Sequence, residues 1–428
     1  MSLYNVKEST GKGRGVFLNT DITEKTEVVH SKLIGGCLNY VEWKFYCEYC
    51  FKELKENSKI SCGCGFNYCS MECQKKAYDE YHKNECSIIK SLREIPDGIG
   101  EILLLYRCSI KTVKWEDYCS LPNINNYKAV EYCVLLFKSN SSLLKTIWEV
   151  IQANSFCLTN GEEQVIGIGL FDYASFINHS CCPNCVPLQN KREMSIKSLT
   201  SIKSGEEIFI SYIDITESFE RREKELRKWH FSCGCSLCEE DKKRYRYHLL
   251  CECGGSLFVD EIGQFAKCKT CKKVFEEGDD KYEDALYQIN EYRNLENDID
   301  KLSTNKQYEQ VIEKLNENVS VITSLIDEKD VREHYKFNSI MFHSFIQLKK
   351  YNEAAQVGKK LMKMVDTIFP LLYITGVVEH FHLAKVFRMS GDENLFQEEI
   401  EKVRLGISIL DDSHCLVKEF NEYVIAIK

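Results

Sequence analysis

The spacing of apolar and polar residues changes character along the chain and divides it into blocks. Residues 1–46 carry short strand-like runs such as Glu27-Val28-Val29-His30, preceded by the glycine-rich turn Thr10-Gly11-Lys12-Gly13-Arg14-Gly15-Val16-Phe17. Residues 47–86 form a cysteine-dense insert. From 87 to about 160 the pattern predicts helices, with apolar clusters at Ile102-Leu103-Leu104-Leu105 and Val134-Leu135-Leu136-Phe137. Strand and turn signals return from Val165 to Tyr212, with glycines at 167, 169 and 205. Beyond Glu276 the texture is polar, helix-rich and nearly free of proline. There Lys306-Gln307-Tyr308-Glu309 is echoed by Lys349-Lys350-Tyr351-Asn352 and by Gly391-Asp392-Glu393-Asn394, about 43 residues apart. That period lies in the range of helix-hairpin repeats, so 276–428 is predicted to be a tetratricopeptide-like helical domain.

Composition narrows the picture. A chain of 428 residues calls for two or three domains, and 44% hydrophobic residues can fill their cores. No stretch approaches the roughly 18 apolar residues of a membrane span, and the start lacks a secretory pattern, so a cytoplasmic or nuclear protein is expected. The net charge of −9 argues against non-specific nucleic-acid binding and favours a basic partner, such as a lysine-rich substrate. Nearly all of the 23 cysteines precede residue 275, mostly in close pairs, which in a reducing compartment read as zinc ligands.

Four constellations follow. Cys47-x2-Cys50, Cys62-x-Cys64, Cys69-x3-Cys73 and His82-x3-Cys86 supply ligands for two tetrahedral zincs, and metal must provide most of the folding energy of so short a segment. Spacing alone leaves the pairing open. Cys233-x-Cys235-x2-Cys238 is one ligand short, and Cys181 is the natural fourth, with Cys182 and Cys185 as rivals. Cys251-x-Cys253 with Cys268-x2-Cys271 is a zinc-ribbon pattern. About four zincs are therefore expected, each with four protein ligands, which leaves no open position for a zinc hydrolase. The remaining cysteines are expected to be mostly small buried hydrophobes.

Three motifs run in order: Asn178-His179-Ser180-Cys181-Cys182-Pro183-Asn184, Gly205-Glu206-Glu207-Ile208-Phe209-Ile210-Ser211-Tyr212, and the Cys233–Cys238 group. Together they resemble the SET domain of protein lysine methyltransferases. The insert at 47–86 looks like a MYND finger, and the whole chain resembles the SET-and-MYND (SMYD) family. The resemblance implies an α+β multidomain fold. Its parts are a SET N-terminal part (1–46), the finger (47–86), a helical insert (87–165), the SET core (166–215), a post-SET zinc site (216–240), a ribbon (245–275) and the helical tail (276–428). It also implies interleaved finger pairing: Cys47, Cys50, Cys69 and Cys73 on one zinc, and Cys62, Cys64, His82 and Cys86 on the other. Relatives carry Cys-x2-Cys where this chain has Cys62-x-Cys64.

Residue by residue, the resemblance implies S-adenosylmethionine as cofactor. Gly13, Arg14 and Gly15 would approach it through the backbone; Asn154, Asn178 and His179 would hydrogen-bond it; Phe231 would stack on adenine. Trp115 and Asn123 match a Tyr-x7-Asn pair, with tryptophan in place of tyrosine. Tyr212 would contact the cofactor at the methyl in transfer and orient the lysine amine, and Phe156, Phe171 and Trp229 would line its channel, where relatives often have tyrosine at the last two places. The implied activity is protein-lysine N-methylation of histone or other proteins by a monomer, with further protein partners through the finger and tail and no membrane or nucleic-acid partner. The rival class is a silent adaptor, which loss of Tyr212 or of Asn178-His179 would have favoured.

Overall fold

The computed structural model describes residues 2–426, apart from 56–58, 122–125, 161–162, 243–248, 260–264, 269, 326–329 and 413. The chain forms two compact units. One comprises Met1–His179, Pro183–Ile210 and Ile409–Lys428, the other Ser180–Cys182 and Ser211–Ser408.

In the first unit, β1 (Tyr4–Ser9) and β2 (Gly13–Leu18) form a hairpin around the glycine-rich turn, and β3 (Glu27–Leu38) follows as one long strand. The insert contains the short hairpin β4 (Ile60–Ser61) and β5 (Asn67–Tyr68), then α1 (Met71–Ala77), a π-helical turn over Tyr78–His82 and α2 (Lys83–Ser91). Helices α3 (Ile99–Ser109), α4 (Lys128–Phe137) and α5 (Ser141–Asn154) come next. After them run β6 (Phe156–Thr159), β7 (Val165–Phe171), β8 (Asn178–His179), β9 (Cys185–Asn190), β10 (Glu193–Ser198) and β11 (Phe209–Ile210). The main sheet is antiparallel in the order β6–β7–β3–β10–β9, with β3 at its centre. Burial along β3 begins with exposed breaks at His30 and Lys32 and becomes continuous from Gly35 to Leu38. The cause is α3, which packs on β3 and buries Leu103, Leu104, Leu105 and Cys108 completely.

The second unit starts with α6 (Phe219–Leu226) and α7 (Ser236–Asp241). A four-stranded antiparallel sheet follows: β12 (Leu249–Leu250), β13 (Ser256–Val259), β14 (Phe265–Cys268) and β15 (Val274–Glu276). The helical tail runs through α8 (Asp280–Thr304), α9 (Tyr308–Glu317), α10 (Val319–Leu325), α11 (Val331–Gln347), α12 (Tyr351–Ile368), α13 (Ile374–Ser390) and α14 (Glu393–Gly406). The final helix, α15 (Cys415–Ala426), groups with the first unit, so the stretch 276–428 is shared between the two. Lys197 of β10 holds that last segment by donating to the Ile409 carbonyl (2.9 Å) and pairing with Asp411 (3.2 Å).

The loose repeat of the tail has a backbone meaning. Lys306, Lys349 and Gly391 are all left-handed, with φ of 58°, 57° and 80°. At each, the next amide reaches back five residues: Gln307 to Leu302, Lys350 to Phe345 and Asp392 to Phe387, all at 2.9 Å. This is the Schellman stop, which satisfies carbonyls at a helix C-terminus before the next helix begins. No described helix is long and apolar enough to cross a membrane.

Candidate active site and its zinc clusters

In the first unit the first two motifs are tied together by side chains. Strands β8 and β11 pair in parallel, Asn178 opposite Phe209 and His179 opposite Ile210. Asn178 Nδ2 donates to the Arg14 carbonyl (2.8 Å) and to Glu207 Oε1 (2.7 Å), while Ser9 Oγ donates to Glu207 Oε2 (2.7 Å). Asn184 closes the same knot, donating to the Glu207 carbonyl (3.0 Å) and accepting from the Phe209 amide (2.7 Å). Gly15 lies against this junction: a Cβ there would stand 2.1 Å from Glu207 Oε1 and 3.0 Å from Asn178 Nδ2. Glycine at 15 is therefore a steric requirement as well as a turn residue.

These contacts define what the expected cofactor residues can offer. Both amide hydrogens of Asn178 are engaged within the protein, so its side chain can present only oxygen to a ligand. Asn154 is similar. It is buried at the end of α5, with Nδ2 donating to the Cys119 and Val150 carbonyls, each at 2.7 Å. His179 is buried, and the Arg14 guanidinium lies 5.0 Å from the centre of the Phe176 ring. Gly13 is exposed with φ of 74°. Trp115 is buried in a short 3-10 turn, with its ring 6.0 Å from that of Tyr118. Asn123 lies outside the described residues. Phe156 is half-buried and meets the fully buried Phe171 edge-on, at 5.8 Å and 90°. Glu207 and Asn184 escaped the sequence reading as site residues, although both stand inside its quoted motifs.

In the second unit, Cys181, Cys233, Cys235 and Cys238 bring their sulfurs within 4.8 Å of one another. Cys182 instead lies exposed, 3.3 Å from Ser236 Oγ, and Cys185 is buried on β9. Leu226 shares the core of this cluster, and Ile213, Phe219, Trp229 and Phe231 pack around it. Tyr212 is half-buried, with its ring 5.5 Å from that of Trp229. Four thiolates on one divalent zinc carry two net negative charges. The buried Arg222 answers them: its guanidinium donates to Asp241 (2.5 Å) and to the Glu217 carbonyl (2.6 Å). Burial works against that charge, but the Cys181 thiolate beside it pushes the Arg222 pKa up.

Three further groups have the same character: Cys47, Cys50, Cys69, Cys73; Cys62, Cys64, His82, Cys86; and Cys251, Cys253, Cys268, Cys271. Neighbouring ligand atoms stand 3.4–3.8 Å apart, for example Cys50 to Cys69 at 3.6 Å, Cys62 to His82 at 3.4 Å and Cys251 to Cys271 at 3.8 Å. A tetrahedron with zinc–sulfur bonds of about 2.3 Å has edges of about 3.8 Å, so all four sets fit structural zinc. No disulfide joins any of the 23 cysteines. Of the eight outside the clusters, Cys37, Cys108, Cys133 and Cys185 are buried, whereas Cys119, Cys157, Cys182 and Cys415 are exposed. The expectation that most would be buried is met by only half.

Behind the second finger group lies a buried ion cluster. Arg107 of α3 donates twice to Glu85 (2.7 and 2.8 Å), once to Glu48 (2.6 Å) and once to the Gly36 carbonyl of β3 (2.7 Å). All three charged side chains are essentially without solvent exposure. Burial raises the Glu48 carboxyl to about 7 against the pull of Arg107, while Glu85 is held below its usual value by the same guanidinium despite its own burial.

Residues 13–213 match the SET domain family. This stretch, just under half of the chain, is similar to the SET domain. Its relatives include histone-lysine N-methyltransferase SMYD3 of Homo sapiens, 32% identical over 41% of this chain and 47% of that protein. Histone-lysine N-methyltransferase Smyd1 of Mus musculus is 27% identical over 56% and 57%. N-lysine methyltransferase SMYD2 of Homo sapiens is 27% identical over 60% and 66%. The matched part thus spans about half to two thirds of the length of these curated relatives. The chain is related to the SMYD proteins, and its SET domain match contains Asn178, Glu207 and Tyr212.

Proposed function

We propose that this protein is an S-adenosylmethionine-dependent protein-lysine N-methyltransferase. The observation that carries the reading is the SET domain match over 13–213, which includes the Asn178–Glu207 knot and ends just after Tyr212. Relatives named as lysine methyltransferases support it. When bound, the cofactor supplies an electrophilic methyl group on a sulfonium. The chain's own task is to hold the cofactor and to present a neutral amine to it in line.

In the first unit, the backbone of Gly13–Gly15 and the residues Asn154, Asn178 and His179 are the groups we assign to the cofactor, with Trp115. The Asn178–Glu207 bond fixes the asparagine side chain, so its oxygen can be offered to a ligand without a rotamer search. Phe156 is assigned to the apolar wall met by the substrate lysine, with Phe171 setting its ring orientation. In the second unit, Phe231 is assigned to adenine stacking, Trp229 to the aromatic wall and the Tyr212 hydroxyl to orientation of the amine. A free lysine has a pKa of about 10.4, and aromatic surroundings disfavour its charged form by desolvation, which favours the reactive neutral amine. Orientation at near-attack distance supplies most of the acceleration. The substrate is then a protein with an accessible lysine, histone or otherwise, met in the cytoplasm or nucleus.

The test is transfer of labelled methyl from S-adenosylmethionine to lysine-rich proteins, beside Tyr212→Phe. The variant is expected to bind cofactor in calorimetry with unchanged affinity and to lose about 10²–10³-fold in rate, the usual cost of removing one orienting hydroxyl. Absence of both transfer and cofactor binding in the wild type would overturn the reading in favour of an adaptor.

A further inference from the structure

Among the described residues, one group of metal-ligating side chains lies outside all the cysteine clusters. His343 of α11 and Glu379 and His382 of α13 bring one ligand atom each within 4.8 Å of one another. His343 Nε2 stands 3.1 and 3.2 Å from the two Glu379 oxygens, and the two imidazole rings meet edge-on at 5.2 Å and 87°. Glu379 and His382 are three residues apart, which sets them on one face of α13. His380, between them in sequence, points its ring elsewhere, to Glu399 (2.7 Å) and Asp366 (3.6 Å). The side chain of His343 keeps 35% of its surface exposed and that of Glu379 13%, so solvent and ions can reach the group.

We propose that His343, Glu379 and His382 form a binding site for one divalent transition-metal ion, zinc in the first instance, that clamps α11 to α13. Two imidazoles and a carboxylate suit zinc, and a water completes the tetrahedron. With bonds of about 2.0–2.1 Å, ligand atoms in such a site stand about 3.3 Å apart. The His343–Glu379 separation already has that span, and no pair of ligand atoms in the group is more than 4.8 Å apart. Without metal the same two side chains face each other as a hydrogen-bonded pair at 3.1 Å. A cation bound there takes the place of the imidazolium proton. This site uses no cysteine and is independent of the proposed methyl transfer.

The test uses the full chain as isolated, with its cysteine-bound zinc in place. Protein is equilibrated with micromolar zinc and, in parallel, with cobalt(II), then desalted and its metal content measured. The double variant His343→Gln/His382→Gln is treated in the same way. Wild type is expected to hold one more ion per chain than the variant. Its cobalt form is expected to show weak ligand-field bands without added thiolate-to-cobalt charge transfer. Added zinc is expected to raise the melting temperature of wild type and leave that of the variant unchanged. The single substitution Glu379→Gln keeps both imidazoles and is expected to weaken binding at least about tenfold. Equal metal content in wild type and both variants, or an extra ion with thiolate charge transfer, would overturn the proposal. It would show the three residues to be an ion pair and a packing neighbour only.

Discussion

At the scale of single residues, the informative contact is the one between Asn178 and Glu207. The asparagine and the glycine-rich turn stand out in the sequence because of their types and spacing. Glu207 does not, because a carboxylate before a strand has the same local appearance whether it solvates a turn or locks two distant segments together. Its partners, Ser9 and Asn178, lie far away in the chain, and no spacing rule encodes them. Glu207→Ala removes an acceptor shared by two donors, and bonds to a charged group contribute about 1.5–3 kcal/mol each at most. A loss of about 2 kcal/mol in urea unfolding is therefore expected, with weakened cofactor binding. Asn178→Ala should give a similar loss. The double variant should cost less than the sum by roughly 0.5–2 kcal/mol, because both substitutions break the same bond. Strict additivity would show that the two side chains act separately. Gly15→Ala is expected to mimic the loss of cofactor binding with Asn178 and Glu207 intact, since its Cβ must displace the carboxylate.

At the scale of elements, the tail was legible as helices with a repeat, but the reason for the repeat was not. The echo marks helix stops rather than a packing surface. Two of those stops place lysine in a conformation that glycine adopts without penalty. Lys349→Gly is expected to stabilise the protein by about 1 kcal/mol, and Gly391→Ala to destabilise it by about the same. Both are read as shifts in denaturant midpoint at constant slope. No Cβ contact lies within 4 Å of Gly391, so a large loss there would have to come from backbone strain alone. The insert teaches the opposite lesson. Its cysteine spacing reveals the metal ligands, whereas Arg107 sits at the end of the apolar run Ile102–Leu105 and looks like an ordinary helix-surface charge. In the folded chain it is the charged partner of the Glu48 carboxylate, beside a long contact from the Cys37 thiol (3.9 Å), and it half-encircles the carboxylate of Glu85. Arg107→Met should cost about 3–5 kcal/mol, because it leaves buried carboxylates uncompensated. A cost under about 1 kcal/mol in equilibrium unfolding, with zinc content unchanged, would mean that water replaces the guanidinium.

At the scale of the whole molecule, metal is distributed unevenly in accessibility, and this gives the four cysteine clusters different lifetimes. In the ribbon group, Cys253 and Cys271 are exposed while Cys251 and Cys268 are buried. In the group around Cys181, three of the four thiols are buried and the fourth is half-buried, and Arg222 balances their charge from a fully buried position. Each finger group falls between these two. A chelator removes zinc by attacking an accessible ligand position, so the ribbon is expected to release its ion first and the Cys181 group last. The consequence for activity follows from what each cluster holds in place. The Cys181 group carries Trp229 and Phe231 against its own core, whereas the ribbon packs with Tyr282, Ile289 and Tyr292 of α8. With a chromophoric chelator, zinc should leave in separate phases, and methyl transfer should survive the first and disappear with the last. Cys251→Ser should erase the early phase and leave most of the activity. Cys181→Ser should remove one zinc and abolish cofactor binding, although no reacting group is touched. If activity instead falls in step with the first ion released, the ribbon supports the catalytic residues more closely than its packing on α8 implies. The zinc at Cys181 would then no longer be the one that decides whether the site exists.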